Sequence, residues 1–155
     1  MLSASGSYRL FMDVDLSTPI QEFEKFKQYI AEFDVVIGSR KVPQANLIRR
    51  QNLVRETFGK AFTLLSQVVL GMGVSDFTCG FKCFSAKAAD DIFTGSKIER
   101  WGFDAEVLYI AKKRGFDIKE VPVSWSNDAN TRVRFPQDII RSFYELIVIR
   151  CCTDF

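Results

Sequence analysis

Leu10-Phe11-Met12-Asp13-Val14-Asp15-Leu16-Ser17-Thr18-Pro19 is the stretch on which the reading of this chain turns. The apolar run from Tyr8 to Met12 has the length and composition of a buried strand, and it ends abruptly in two carboxylates spaced i, i+2. Thr18 then supplies an N-cap, Pro19 a first helical position and Gln21 the third, a capping box that predicts a helix start. The acidic pair therefore falls in a short connection from strand to helix. In open α/β sheets ligands bind at the carboxyl ends of the strands. Two hard oxygen donors there suit Mg²⁺ or Mn²⁺ carrying a diphosphate, because Mg²⁺ is commonly bound by one or two carboxylates plus phosphate oxygens. The competing reading makes Asp13 and Asp15 a solvated loop with helix-capping potential, and these ten residues leave both readings open.

Composition narrows the chemistry. A chain of 155 residues, 47% hydrophobic and 26% charged, has the length of one globular domain. Its net charge of +2 is too small to attract nucleic acid by bulk electrostatics. There is no histidine, which excludes Ser-His and Cys-His nucleophilic devices and His-ligated zinc. Acid-base work falls to Asp, Glu, Lys, Tyr or Cys. Of the cysteines, Cys79 and Cys83 share an expected strand face and Cys151-Cys152 are adjacent, a pattern of reduced thiols rather than a disulfide or zinc framework. No signal peptide is recognisable, and uniformly apolar runs such as Leu146 to Ile149 fall far short of a bilayer span, so no transmembrane segment is expected in this chain.

Outward from the acidic turn, Ile20, Phe23, Phe26, Ile30 and Phe33 recur at helical spacing. Asp34 to Gly38 reads as a short buried strand, followed at once by Ser39-Arg40. Asn46 is the expected N-cap of a long helix to about Leu70, its inward face made of Leu53, Val54, Phe58, Phe62, Leu65, Val68 and Val69. The first turns of that helix carry Arg49, Arg50 and Arg55, although the helix dipole disfavours cations at an N-terminus. An anion bound at the helix start explains them; a solvated, snorkelling face explains them equally well.

Beyond Gly71-Met72-Gly73, the segment Asp76 to Ser85 runs from loop into strand, with Phe81 and Cys83 facing opposite to Lys82 and Phe84. A brief helix is expected over Ala86 to Phe93 and another from Arg100 to about Arg114, stopped by Gly115. Asp104 and Glu106 lie near the second helix's start, where the dipole favours acids. Ile118 to Trp125 is a strand whose Pro122 marks an edge or a bulge. Asn127 to Phe135 reads as a loop with Arg132 and Arg134. Pro136 begins a last helix with Asp138, Arg141, Ser142 and Glu145 on one stripe and Ile139, Ile140, Phe143, Tyr144 and Ile147 on the other; such a helix packs on the domain or lies on a membrane surface.

Six blocks in order carry a resemblance: Asp13-Val14-Asp15-Leu16-Ser17-Thr18-Pro19; Gly38-Ser39-Arg40; Arg49-Arg50 with Arg55; Asp76 followed by Cys79-Gly80-Phe81-Lys82; Glu99-Arg100-Trp101-Gly102-Phe103-Asp104-Ala105-Glu106; and Glu120-Val121-Pro122-Val123-Ser124-Trp125. Together they resemble the family 2 glycosyltransferases of the polyprenyl-phosphate type. The phrasing Cys-Gly-Phe-Lys and Glu-Arg-Trp-Gly-Phe-Asp is similar to the dolichyl-phosphate β-glucosyltransferase branch. The likeness runs from Leu10 to about Arg150.

That resemblance implies an α/β architecture: part of a GT-A (nucleotide-diphospho-sugar transferase) fold, a mixed sheet flanked by helices. It implies a metal-dependent, inverting transfer of a hexose, glucose first, from a nucleotide sugar to polyprenyl or dolichyl phosphate. Carried over by position, Asp13 and Asp15 are the metal and donor-diphosphate ligands, with Mg²⁺ or Mn²⁺ as cofactor. Arg40, Arg50 and Arg55, with Arg49 competing for the Arg50 role, hold the acceptor phosphate. Asp76 is the carboxylate near the sugar, and Asp104 and Glu106 complete the catalytic acids. UDP-glucose is the favoured donor and GDP-mannose the second. A membrane surface, on the cytoplasmic face of the endoplasmic reticulum or of a bacterial inner membrane, follows from the lipid acceptor.

The family's opening strands, which bind base and ribose, have no counterpart before Leu10. Residues 1–155 are thus expected to be the carboxyl-side portion of a single GT-A domain ending in an amphipathic helix at about 136–150, with an open sheet edge that invites self-association. Two alternatives stand beside the transferase: a non-catalytic remnant or interaction module on the same scaffold, and a transferase with a saccharide acceptor.

Overall fold

The structure, a computed structural model, describes residues 1–49, 52–99, 101–127 and 137–152. Arg50, Arg100, the loop residues Arg132 and Arg134, and Pro136 lie outside the described residues, so the expectations placed on them have no structural counterpart here.

Four apolar runs form one mixed sheet. They are β1 (Tyr8–Met12), β2 (Val35–Ser39), β4 (Phe81–Ser85) and β5 (Ile118–Pro122), in the spatial order β1-β4-β2-β5. β4 runs antiparallel to both β1 and β2, whereas β2 and β5 are parallel. A separate parallel pair joins β3 (Asn46–Arg49) to β6 (Ser124–Ser126). The helices are a single turn, α1 (Phe23–Phe26), then α2 (Leu53–Leu70), α3 (Ala86–Gly95), α4 (Phe103–Lys113) and α5 (Gln137–Cys152).

Alternation along the strands divides the core in two. Val35, Ile37 and Phe84 face α3, α4 and α5, where Ile92, Leu108, Ile110, Leu146 and Ile149 close the larger cluster. Val36, Phe81 and Cys83 face the other side with Phe26, Val121 and Val123. Pro122 ends β5, and β5 is an edge strand, the place where a missing N–H costs no ladder bond.

Three elements depart from the sequence reading. The helix expected from Ile20 to Phe33 is a 3₁₀ turn (Ile20–Glu22) followed by α1, and no side chain caps either start. Thr18 is buried instead of capping, because residues 15–18 are pinned elsewhere.

The long helix starts at Leu53, not Asn46: Asn52 Oδ1 accepts the Val54 N–H at 2.9 Å and is the true N-cap. Asn46 to Arg49 pairs with a strand nearly eighty residues away, a tertiary preference that overrides the local capping signal. Arg49 therefore sits on a strand, while Arg55 remains in the helix's first turn.

The inward face of α2 is also different. Leu53 is 79% and Val68 72% exposed, with Val54, Phe58 and Leu65 exposed too, whereas Thr63, Ser66 and Leu70 are buried. The two hydroxyls can be buried because each donates to the carbonyl four residues back, Thr63 to Gly59 at 3.0 Å and Ser66 to Phe62 at 2.7 Å. The last helix departs in part: Phe143 packs on the core and Arg141 is exposed as expected, but Ile140, Tyr144 and Ile147 face outward and Glu145 from the expected polar stripe is buried with Leu146 and Ile149.

Candidate donor and acceptor site

At the carboxyl end of β1 the chain turns through Asp13 and Asp15, and the turn is tightly held. The Asp13 N–H donates to the Gly80 carbonyl at 2.9 Å, Asp15 Oδ1 accepts the Ser17 N–H at 2.9 Å, and the Ser126 N–H of β6 donates to the Ser17 carbonyl at 2.9 Å. Glu22 adds a second tie by accepting the Ser124 N–H at 2.9 Å. Leu16 adopts a left-handed conformation with φ of 54°, an uncommon one for a branched side chain. Strain of this kind is retained where surroundings over-determine the backbone, and it concentrates at functional sites.

The Asp13 carboxylate lies in a slot. A Cβ at Gly80 would fall 2.0 Å from Asp13 Oδ2, so only glycine lets the 79–80 backbone pass beneath it. Burial pushes the Asp13 carboxyl above its ordinary value, and the neighbouring carboxylates of Asp104 and Asp15 push it further, against the opposing pull of Lys82 and Arg40. The crowding of Asp13, Asp15 and Asp104 is what a divalent cation would relieve. Among the described residues no three His, Cys, Asp or Glu side chains close on one point, so a cation at Asp13 and Asp15 takes its other ligands from phosphate or water. The hard-oxygen donor set fits Mg²⁺ or Mn²⁺ on those terms.

Asp76 is buried in the loop before β4. Its carboxylate accepts three bonds from one residue: Arg40 N–H at 3.0 Å and Nε at 2.7 Å on Oδ2, and Arg40 Nη2 at 2.7 Å on Oδ1. Burial would raise the Asp76 carboxyl, but the Arg40 guanidinium overcomes this and holds it below the usual range; Lys41, 4.0 Å away, adds to the effect. Arg40 also donates to Thr78 Oγ1 at 2.9 Å and lies 5.2 Å from the centre of the Trp125 ring. Glu120 on β5 steadies the same loop by accepting the Ser75 and Asp76 N–H groups at 2.9 and 3.2 Å.

Among the arginines, Arg40 is thus largely consumed by Asp76, while Arg55 is exposed and close enough to Arg40 and Asp15 for both to influence it. Burial and then Arg40 lower the Arg55 pKa, against the opposing pull of Asp15. Arg49 is exposed on β3. The three acids expected to be catalytic separate: Asp76 is fully buried against Arg40, Asp104 is part-exposed beside Asp13, and Glu106 turns into the core. Its carboxylate accepts Ser96 Oγ–H at 2.6 Å, Lys97 N–H at 3.0 and 3.1 Å, and Ile98 N–H at 2.9 Å, all from the loop before α4. That geometry describes an anchor for residues 96–98, a correction to the expected catalytic placement.

Sequence reasoning passed over Lys82, buried between β1 and β2 with its ammonium on Asp104, and Lys41, whose Nζ donates to the Gly59 carbonyl at 3.2 Å and to Thr63 Oγ1. The signal for Lys82 was available: a lone lysine in an otherwise apolar central strand needs a buried partner.

A mixed sheet with helices packed against it and an acidic strand-to-helix turn at its rim define the GT-A class of glycosyltransferase fold. The structure of glucosyl-3-phosphoglycerate synthase from Mycobacterium tuberculosis in complex with UDP shares this fold, with a TM-score of 0.61 at 16% identity, covering 97% of this chain and 50% of that one. By sequence the chain is similar to curated dolichyl-phosphate β-glucosyltransferases, at 29% identity to that of Dictyostelium discoideum over 91% of this chain, 30% to one of Trichomonas vaginalis over 96%, and 33% to that of Drosophila melanogaster over 81%. The matches cover 47%, 45% and 41% of those proteins, so the chain spans about half the length of the curated relatives it matches. No family model matches it.

Proposed function

We propose that this chain carries the carboxyl-side portion of a GT-A domain that transfers glucose from UDP-glucose to a polyprenyl or dolichyl phosphate with inversion. The observation that carries the reading is the Asp13 carboxylate held in the Gly80 slot with Asp104 and Asp15 near enough to repel it, and Arg55 near enough to Asp15 to feel its charge. Asp13 and Asp15 would hold Mg²⁺ or Mn²⁺, which would supply positive charge to the diphosphate leaving group. Arg55, with Arg49, holds the acceptor phosphate and aligns its oxygen behind the anomeric carbon. A phosphomonoester is mostly dianionic at neutral pH, its second pKa being near 6, so the acceptor needs no histidine base. Asp104 faces the same space and orients the sugar.

The lipid acceptor places the enzyme at a membrane surface. No helix among the described residues is long and apolar enough to cross a membrane.

Transfer of labelled sugar to a short polyprenyl phosphate tests the proposal, with UDP-glucose and GDP-mannose offered in parallel, with and without Mn²⁺. The assay uses this chain and a second version preceded by the amino-terminal segment of the Dictyostelium relative. Mn²⁺-dependent product from UDP-glucose is expected. No product from either donor in either version would favour a non-catalytic scaffold, and product on a saccharide but not on the lipid phosphate would favour the other acceptor.

A further inference from the structure

Lys82 occupies the second strand of the four-stranded sheet, its Cα paired with Phe11 on one side and Ile37 on the other. Its side chain is 1% exposed. A buried ammonium is costly unless fully partnered, and Lys82 has two partners: it donates to the Cys79 carbonyl at 2.6 Å and to Asp104 Oδ1 at 2.5 Å. These partners are the two walls of the Asp13 slot. The Cys79-Gly80 backbone is the floor beneath the Asp13 carboxylate, and the Gly80 carbonyl accepts the Asp13 N–H. Asp104, on the first turn of α4, is the carboxylate facing it. One side chain thus fixes the spacing between a strand turn and a helix start that otherwise share no bond among those described.

We propose that Lys82 is a positioning residue: its ammonium clamps the Cys79-Gly80 turn and Asp104 around Asp13 and so sets the geometry of the cation and diphosphate subsite. The inference rests on the transferase reading for its ligand but not for its geometry. Lys82 engages Oδ1 of Asp104, whose side chain is 25% exposed. Removing the ammonium frees Asp104 to rotate and the turn to drift, at a site where ligand oxygens must stay within tenths of an ångström.

The test compares the wild-type chain with Lys82→Met, which keeps the stem's length, and with Lys82→Met/Asp104→Asn, which also neutralises the stranded carboxylate. Mn²⁺ affinity is measured by water-proton relaxation, and amide hydrogen exchange is followed without ligand. Mn²⁺ affinity should fall about tenfold in Lys82→Met, the scale on which outer-shell partners act on metal sites. The double variant should recover melting temperature but not affinity. Exchange at the Asp13 amide should accelerate in Lys82→Met while Val36 and Ile37 stay protected.

A purely electrostatic role would raise Mn²⁺ affinity on loss of the positive charge, and that result overturns the clamp, as does unchanged exchange at Asp13. Recovery of affinity together with stability in the double variant also overturns it. If no protein binds Mn²⁺, the transferase reading fails, and the exchange arm still decides the clamp.

Discussion

Arg40 and Asp76, thirty-six residues apart, form a buried bidentate pair, Nε to Oδ2 and Nη2 to Oδ1 both at 2.7 Å. Each was expected to meet a ligand, the first an acceptor phosphate and the second a sugar; in the folded chain each chiefly meets the other. The pair joins the end of β2 to the loop before β4, and the Arg40 charge reaches Asp13 and Arg55.

Breaking that pair from one side should be severe. Arg40→Ala strands a buried carboxylate, and losses of about 3–5 kcal/mol are usual for an uncompensated buried charge. The sign of the pH effect follows from Asp76, whose folded pKa lies below its ordinary value. The pair's stabilisation is complete above the ordinary aspartate range and is lost as pH falls through the depressed folded value. Urea denaturation from pH 7 to pH 2 should show wild-type stability falling at the acid end, and a smaller fall from that source in Arg40→Ala.

Asp13 has the opposite sign. Its carboxyl is raised by burial and by its acidic neighbours, so stability is greatest below its ordinary value and declines as pH rises through the raised one. Asp13→Asn should therefore raise the melting temperature of the metal-free chain at neutral pH and remove any further rise on adding Mn²⁺. A scanning fluorescence melt with and without Mn²⁺ reads both effects.

Gly80→Ala puts a methyl group where the Asp13 carboxylate lies, 2.0 Å from Oδ2. The fold should survive, because a side chain rather than backbone has to yield. Mn²⁺ affinity should drop at least tenfold, on the scale of a displaced ligand, and isothermal titration would detect it.

Glu106→Ala separates an anchor from a catalyst. It leaves Ser96 Oγ and the Lys97 and Ile98 N–H groups without their acceptor, a loss of about 2–4 kcal/mol for bonds to a charged group. Stability by urea titration should fall by that amount, while nucleotide binding per folded molecule stays near wild type. Arg55→Ala should do the reverse: a surface change within about 0.5 kcal/mol in stability, with weaker phosphate-acceptor binding.

Local signals made the strands legible. Tyr8 to Met12, Val35 to Ser39 and Phe81 to Ser85 start and stop within a residue or two of the marks that bound them, whereas the strand expected from Ile118 to Trp125 breaks after Pro122, and Ser124 to Ser126 pairs with β3 in a second sheet. The position of the aspartate turn at the sheet's rim followed from β1 alone. What the sequence could not reveal was non-local: that Asn46 to Arg49 pairs with Ser124 to Ser126, or that Arg40 finds Asp76. The facing of α2 and α5 was misread because both are apolar on more than one side; hydroxyls bonded back to their own helix, and Glu145 bonded to the Gly102 N–H at 2.7 Å, then occupy interior positions that hydrophobicity assigns to leucine or valine.

Mn²⁺-dependent binding of UDP-glucose, measured by isothermal titration on the chain preceded by the amino-terminal segment of the Dictyostelium relative and on its Asp15→Ala variant, tests the proposed donor site most directly. Saturable binding that requires Mn²⁺ with Asp15 in place and disappears in Asp15→Ala is the predicted result. Binding of equal strength in Asp15→Ala, or binding indifferent to Mn²⁺, would contradict it.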